Sequence, residues 1–197
     1  MAASLTVADK LGRAGEYKAE GNSAFKEGEW KKALHAYYNG MLAVKGLDGT
    51  GSSGSSGGGG LSSGLAAMLG GGGGGSPSTG SSEEEKEEAK SLIVVLYTNM
   101  AACHLKLGRP GRARDFCQKA LAIKPGHVKA LFRLGSAADA EGAYDVAVSA
   151  YDDALEAAAQ AGDDSMVRTI EKSKAKSKKR DAQRAAKADA KLKGFLL

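Results

Sequence analysis

Residues 97–125 read YTNMAACHLKLGRPGRARDFCQKALAIKP, and residues 131–159 read LFRLGSAADAEGAYDVAVSAYDDALEAAA. The two stretches are offset by 34 residues, and the same spacing of buried-type residues recurs in both: Ala113, Cys117 and Ala120 in the first, and Ala147, Tyr151 and Ala154 in the second. Small residues at fixed places let two antiparallel helices approach closely, so a period of this length predicts successive copies of one helical hairpin.

A third copy of the pattern lies nearer the N-terminus. It is carried by Tyr17, Gly21, Ala24, Ala33, Tyr37 and Gly40, and it precedes the second copy by 80 residues rather than 34. The surplus contains a Gly/Ser-rich stretch, because 16 of the 28 glycines lie between residues 46 and 80. Such a composition buries too little apolar surface to offset the entropy of ordering, so residues 48–82 are predicted to be a disordered insertion.

The periodicity predicts two helices in each repeat and a further helix after the third. The predicted helices span residues 12–28, 30–45, 84–107, 109–122, 127–141 and 143–160. The domain boundaries follow: repeat 1 over 12–47, repeat 2 with an extended first helix over 83–126, repeat 3 over 127–161, and a basic C-terminal helix over 163–195. Met166, Val167 and Ile170 are expected to cover the open face of repeat 3. Beyond Ser173 the helix has few apolar residues and is expected to project from the body.

This pattern resembles the tetratricopeptide repeat, with Pro125 near the end of its copy. Residues 16–28 (EYKAEGNSAFKEG), 102–107 (ACHLKL) and 189–195 (DAKLKGF) further resemble the tetratricopeptide repeat protein 9 family and the C-terminal domain of large FK506-binding immunophilins. The resemblance implies an all-α fold, in which three helix-turn-helix repeats form a right-handed superhelix closed by a long C-terminal capping helix. Cys117 departs from the repeat pattern, since an aromatic residue or leucine is common there.

Five polar residues fall on the first helices of the three repeats. Lys18 and Asn22 are four residues apart and share a helix face, as do Lys129 and Arg133. Asn99 occupies the second repeat near the repeat position of Asn22. In tetratricopeptide arrays the first helices of successive repeats line one groove, so the resemblance implies that these residues bring three cations and two amides together.

The same five residues resemble the two-carboxylate clamp of co-chaperone tetratricopeptide domains. That resemblance implies binding of the C-terminal EEVD tail of cytosolic heat-shock chaperones of the seventy- and ninety-kilodalton classes, whose terminal aspartate offers two carboxylates. It also implies that Phe25, Ala102 and Lys106 contact the tail residues before that aspartate. The function expected from the sequence is therefore that of a co-chaperone-type protein–protein interaction adaptor.

No pattern of catalytic or metal-binding residues is recognised. The three histidines, His35, His104 and His127, fall on separate predicted segments, and the two cysteines lack the CxxC spacing of zinc or redox sites. We expect a chain that is not an enzyme and needs no cofactor or metal. The absence of a secretory signal pattern and the two unpaired cysteines favour a cytoplasmic location, with the nucleus as a second location.

Two alternatives remain open at this stage. The repeats would also suit a scaffold whose groove binds an acidic segment of a non-chaperone partner. Alternatively, recognition would lie in the tail, since residues 165–197 carry 11 Lys or Arg against 3 Asp or Glu. Such a basic helix suits an anionic membrane, nucleic acid or calmodulin. Nucleic acid is the less favoured of these, because Phe195 is the tail's one aromatic residue.

Overall fold

The computed structural model describes residues 5–45, residue 47 and residues 82–195, with side chains described as far as residue 191. This part of the chain holds seven α-helices and no strand. The helices are α1 (Val7–Lys26), α2 (Trp30–Val44), α3 (Glu83–Lys106), α4 (Pro110–Ile123), α5 (Val128–Glu141), α6 (Tyr144–Gln160) and α7 (Asp164–Phe195). The all-α prediction is confirmed. The predicted Gly/Ser-rich insertion lies outside the described residues except for Ser82.

The helices stack as three hairpins in chain order. α1 packs against α2, α3 against α4, and α5 against α6, and each hairpin also contacts the next one. α1 contacts α3, and α3 contacts α5, so the first helices of the hairpins lie side by side. This arrangement places the predicted site residues of α1, α3 and α5 on neighbouring helices.

The first helix begins earlier than its predicted start at residue 12. Thr6 caps it, because the Thr6 hydroxyl accepts a hydrogen bond from the Asp9 backbone N–H at 3.1 Å. The Asp9 carboxylate in turn accepts from the Thr6 N–H at 3.0 Å. Hydrophobic periodicity does not detect this reciprocal cap, so the predicted start was wrong. Ser82 and Glu85 form the same kind of cap at the start of α3.

Close helix contact within the first and third hairpins depends on a glycine facing a tyrosine ring. A Cβ atom added to Gly21 would lie 2.4 Å from Cε1 of Tyr37, and one added to Gly135 would lie 2.7 Å from the ring of Tyr151. Both tyrosines are almost fully buried. Any larger residue in place of either glycine would therefore force the ring or the helix to move.

The middle hairpin solves the same packing problem with different residues. Ala101 stands where the other repeats have glycine, and Cys117 stands where they have tyrosine. Both side chains are fully buried and pack in one cluster. Ala101 adds a methyl group to α3, and the smaller side chain of Cys117 on α4 leaves room for it. This compensation explains why Cys117 departs from the repeat pattern.

α7 closes the stack on the third hairpin. Ile170 is fully buried with Tyr151 and Ala158, and Met166 and Val167 pack against the same cluster. The predicted covering of repeat 3 by these three α7 residues is confirmed.

Contact with the body continues further along α7 than its apolar residues suggest. Lys174 forms an ion pair with Asp152, and Arg180 forms one with Asp139. The Arg184 guanidinium donates to the carbonyl oxygen of Gly142 at 2.8 Å. The expectation that the helix projects freely beyond Ser173 was therefore wrong, because polar contacts hold it as far as Arg184. Residues 185–191 are exposed.

Gly21→Ala should lower the free energy of unfolding by about 1–3 kcal/mol, because its methyl group would overlap the Tyr37 ring. Gly12→Ala is the matched control in the same helix, since nothing lies within 4 Å of its added Cβ. This control should gain up to about 1 kcal/mol from helix propensity. Urea unfolding followed by circular dichroism measures both, and equal effects of the two substitutions would contradict the packing described here.

Ending the chain after Gly162 should lower the melting temperature sharply, because the cluster around Ile170 would be exposed to water. Ending it after Arg184 keeps the described polar contacts between α7 and the body, so the melting temperature should stay nearly unchanged. Differential scanning calorimetry of both truncated proteins distinguishes the outcomes. A large loss in the longer protein would show that residues 185–197 contribute to the folded body.

Candidate functional site

A cavity of about 630 Å³ opens against the first helices of the three hairpins, and we call it the main groove. Its wall also includes the turn between α4 and α5, the end of α6 and the start of α7. All five residues predicted to converge line it: Lys18, Asn22, Asn99, Lys129 and Arg133. The structure thus brings the five side chains together, while their role in binding carboxylates stays a prediction.

Hydrogen bonds fix the orientation of the two amide side chains. The Tyr37 hydroxyl donates to Oδ1 of Asn22 at 2.9 Å, and Nδ2 of Asn99 donates to the same oxygen at 3.3 Å. Because the Asn22 oxygen already accepts twice, its NH₂ group is left to donate to a ligand. Asn99 keeps a second N–H for the same purpose. The pair therefore presents donors to the groove, which suits an anionic ligand.

Arg133 is the most enclosed cation of the groove. Its Nη1 donates to the carbonyl oxygen of Thr98 at 2.7 Å, and burial lowers the pKa of the guanidinium from its ordinary value. Within the described part of the chain, no carboxylate lies within 4 Å of it, whereas Arg114 pairs with Glu141 and Arg180 with Asp139. A half-buried guanidinium without an acidic partner has a desolvation cost that a bound anion would offset.

The two groove lysines also have no internal counter-charge. Lys18 is half-buried and Lys129 is exposed, and neither has a carboxylate within 4 Å among the residues that the structure describes. Asp163 is the one acidic residue among those lining the groove, and its carboxylate accepts a hydrogen bond from the Met166 N–H at the start of α7. The groove therefore carries a net positive charge.

A second, smaller cavity of about 190 Å³ shares Asn22, Asn99 and Arg133 with the main groove. Phe25 and Ala102 line it, which places these two predicted contact residues beside the main groove.

Lys106, the third predicted contact residue, is placed differently. Its ammonium group lies 5.7 Å from the centroid of the Trp30 ring, and the described lining of both cavities does not include it. The Phe25 ring meets the same Trp30 ring edge to face, with 4.8 Å between the ring centroids. A role for Lys106 in binding stays a prediction. In the structure its ammonium group lies over the indole ring of Trp30.

Sequence reasoning missed several groove residues. Lys124 and His127 lie in the turn between α4 and α5, where helical periodicity gives no facing information, and Met166 comes from the first turn of α7. Lys26, one turn after Asn22 on α1, lines the smaller cavity. Its i, i+4 relation to Asn22 was the one sequence signal that would have identified it.

His127 has a structural role at this wall. Its Nδ1 accepts a hydrogen bond from the Ala130 N–H at 3.2 Å, so the ring caps the start of α5. Burial lowers the pKa of His127, and the positive charges of Lys124, Arg133 and Lys129 lower it further. The ring is therefore neutral at pH 7.

The cysteines are part of the core rather than of a reactive site. Cys103 and Cys117 are buried and unpaired, and burial raises their pKa values to about 11 and about 12.

In the described portion, no cluster of His, Cys, Asp and Glu is arranged to hold a metal ion. Nor does any helix described there have the length and apolar content needed to cross a membrane.

Residues 92–160 match the tetratricopeptide repeat family model. Over 51 residues the chain is 49% identical to peptidyl-prolyl cis-trans isomerase PASTICCINO1 of Arabidopsis thaliana, and over 55 residues it is 46% identical to FK506-binding protein-like of Rattus norvegicus. These matches cover 26% and 28% of this chain. They span only 8% and 16% of the relatives' own lengths.

Solved structures share the fold. The C-terminal TPR-containing domain of a putative FK506-binding protein from Plasmodium falciparum has a TM-score of 0.61 at 19% identity, covering 91% of this chain and 97% of that one. The TPR2B domain of yeast Sti1, in complex with pHsp70, scores 0.58 at 21% identity, covering 85% and 98%. The first TPR of Spaghetti (RPAP3), bound to the HSP90 peptide SRMEEVD, scores 0.50 at 21% identity, covering 84% and 95%.

Acidification should destabilise the protein through His127. Its pKa is lowered in the folded state, so the unfolded chain takes up the proton more readily, and stability present above the ordinary value of 6.5 is lost as the pH falls below it. His104, whose pKa burial also lowers, acts in the same direction. His127→Asn keeps a capping side chain without a titrating ring. Urea unfolding from about pH 7.5 to about pH 5.5 should show a smaller loss for the variant. An unchanged loss would exclude His127 as a source.

Proposed function

We propose that this tetratricopeptide repeat chain is a co-chaperone-type adaptor, which binds the acidic C-terminal EEVD tail of cytosolic heat-shock chaperones in its main groove. The partners are chaperones of the seventy- and ninety-kilodalton classes, and the place of action is the cytoplasm, with the nucleus as a second location. One observation carries the proposal: five convergent donors line one cavity, and their most enclosed cation, Arg133, has no acidic partner among the described residues.

The five groove residues suit a ligand with two neighbouring carboxylates. Lys18 and Lys129 supply point charges, and Arg133 supplies a planar fork of donors. Asn22 and Asn99 donate without adding charge, and their orientation is set because Oδ1 of Asn22 accepts from both the Tyr37 hydroxyl and Nδ2 of Asn99. A terminal aspartate offers its side-chain carboxylate and its chain end together. Hydrogen bonds to charged groups contribute about 1.5–3 kcal/mol each, so a few of them are enough for micromolar affinity.

Two solved structures of similar fold supply a peptide with which the proposed ligand can be tested. Two structures with the same fold are complexes, one with pHsp70 and one with the HSP90 peptide SRMEEVD. Their identity to this chain is 21% in both cases, which supports the fold alone. The choice of ligand therefore rests on the chemistry of the groove, and the complexes supply the peptide with which to test it.

We further propose that the chain does not catalyse a reaction and binds no cofactor. The immunophilin likeness concerns the tetratricopeptide region, as the family match over residues 92–160 and the Plasmodium domain indicate. A prolyl isomerase activity would require residues outside that likeness. Binding of an acidic C-terminal tail needs only an open groove with hydrogen-bond donors in it.

A second candidate function rests on the outer face of α7. Arg168, Lys172, Lys176 and Lys179 are exposed there, at spacings that place them on one side of the helix. Such a stripe suits an anionic surface, as the basic-tail alternative requires. It is the less favoured candidate, because other cations of the same helix, such as Arg180, already pair with the body. An acidic non-chaperone partner in the groove is the remaining alternative.

Isothermal titration with SRMEEVD tests the proposed clamp. The free-acid peptide should bind at least about tenfold more tightly than its C-terminal amide, because amidation removes one of the two carboxylates. Lys18→Ala, Asn22→Ala and Arg133→Ala should each weaken binding of the acid by a similar factor. Lys119→Ala, on the outer helix of the second hairpin, is the matched control and should leave the affinity unchanged.

Thermal melts of each variant separate lost binding from lost folding, which matters most for half-buried Arg133. Equal affinity for the acid and amide peptides would overturn the clamp. Tight binding of both peptides that is lost on changing Lys172, Lys176 and Lys179 to Gln would instead identify α7 as the recognition element.

A further inference from the structure

Two donors of the main groove, Lys124 and His127, have no part in the proposed clamp. They stand at the two ends of the turn between α4 and α5, and both line the same cavity as the five clamp residues. The turn is held by backbone hydrogen bonds, from the Lys124 N–H to the Ala120 carbonyl at 2.9 Å and from the His127 N–H to the Lys124 carbonyl at 3.2 Å. Pro125 between them fixes one further backbone angle. These constraints fix the backbone conformation of the turn, which forms one wall of the groove.

The chemistry of this wall is that of an anion site. Lys124 is exposed, and in the described ranges it has no carboxylate within 4 Å. Because Nδ1 of His127 accepts from the Ala130 N–H, the proton of the neutral ring is on Nε2, which is left as a donor. The other charged groups around the ring, Lys129 and Arg133, are positive as well.

Part of the wall of the main groove is apolar. Val95, Val128 and Met166 line the same groove, and they belong to α3, α5 and α7. An anionic group on a short aliphatic stem would place its methylene groups against this wall and its charge against the turn. A glutamate side chain has that construction, and the SRMEEVD tail carries two glutamates before its terminal pair of residues.

We propose that Lys124, together with the Nε2–H group of His127, forms a third anion subsite that binds a glutamate carboxylate of the acidic tail, next to the clamp for the terminal residue. This inference rests on the proposed function and adds a specificity determinant to it. Tails that end in the same aspartate would then be ranked by whether they carry a carboxylate at the matching position. The subsite would favour strongly acidic tails over tails that offer the terminal carboxylates alone.

A double-mutant cycle between protein and peptide tests the subsite. The peptides are SRMEEVD and its two variants with one glutamate changed to Gln, and the proteins are the full chain, Lys124→Met and the control Lys119→Met. Methionine keeps the aliphatic length and removes the charge. Lys124→Met should bind SRMEEVD about three- to fivefold more weakly. One glutamine peptide should show the same loss with the full chain and no further loss with Lys124→Met. His127→Asn, which keeps the helix cap, should weaken binding by about twofold.

The possible results distinguish failure of the third subsite from failure of the proposed clamp. If Lys124→Met binds like Lys119→Met while the acid peptide is still preferred over the amide, the clamp stands and the third subsite is wrong. If Lys124→Met loses the same factor with all three peptides, the lysine acts through the general field of the groove, which also overturns the subsite. If the full chain does not bind SRMEEVD, both the clamp and the subsite fail.

Discussion

The contact between Gly21 and the ring of Tyr37 sets both the packing of the first hairpin and the geometry of the groove. The glycine lets the ring lie directly against α1, at a distance that no side chain on residue 21 would allow. The hydroxyl of that ring then reaches the next residue in sequence, Asn22, and fixes its amide. A core contact and a candidate binding residue are thus adjacent in the chain and joined through one tyrosine. The third hairpin repeats the arrangement with Gly135, Tyr151 and Ser136, whose hydroxyl lies 3.4 Å from that of Tyr151.

Charge is distributed unevenly over this scaffold. The basic residues of α7 that face the body are compensated, since Lys174 and Arg180 pair with aspartates of α6 and α5. The cations of the groove have no such partners among the described residues, although acidic residues are plentiful on the same helices. Arg133 is the extreme case, because it is half-buried and its one hydrogen bond among the described residues is to the carbonyl oxygen of Thr98. An anion bound beside Arg133 would offset the free energy cost of holding this cation there, which supports the proposed acidic ligand.

The sequence predicts the hairpins well because their packing depends on residue size at fixed spacing. The repeated spacing of small and large residues therefore located the buried positions of all three repeats, and it placed the five residues of the proposed clamp on neighbouring helices. Features that depend on side-chain hydrogen bonds or on distant partners were not predictable in this way. The cap at Thr6 moved the start of α1, and the ion pair between Arg180 and Asp139 joins residues 41 positions apart. Lys124 and His127 were missed because they lie in a turn, where helical periodicity does not indicate which side chains point into the groove.

The most direct test of the central claim is to observe the groove amides while the ligand binds. In a ¹⁵N-correlated spectrum, the side-chain NH₂ resonances of Asn22 and Asn99 can be assigned from their alanine variants and followed during addition of SRMEEVD. If the two amides bind the terminal carboxylates as proposed, both resonances should shift strongly with the free-acid peptide and much less with the amide. Saturable binding that shifts resonances of α7 and leaves both amides unmoved would contradict it.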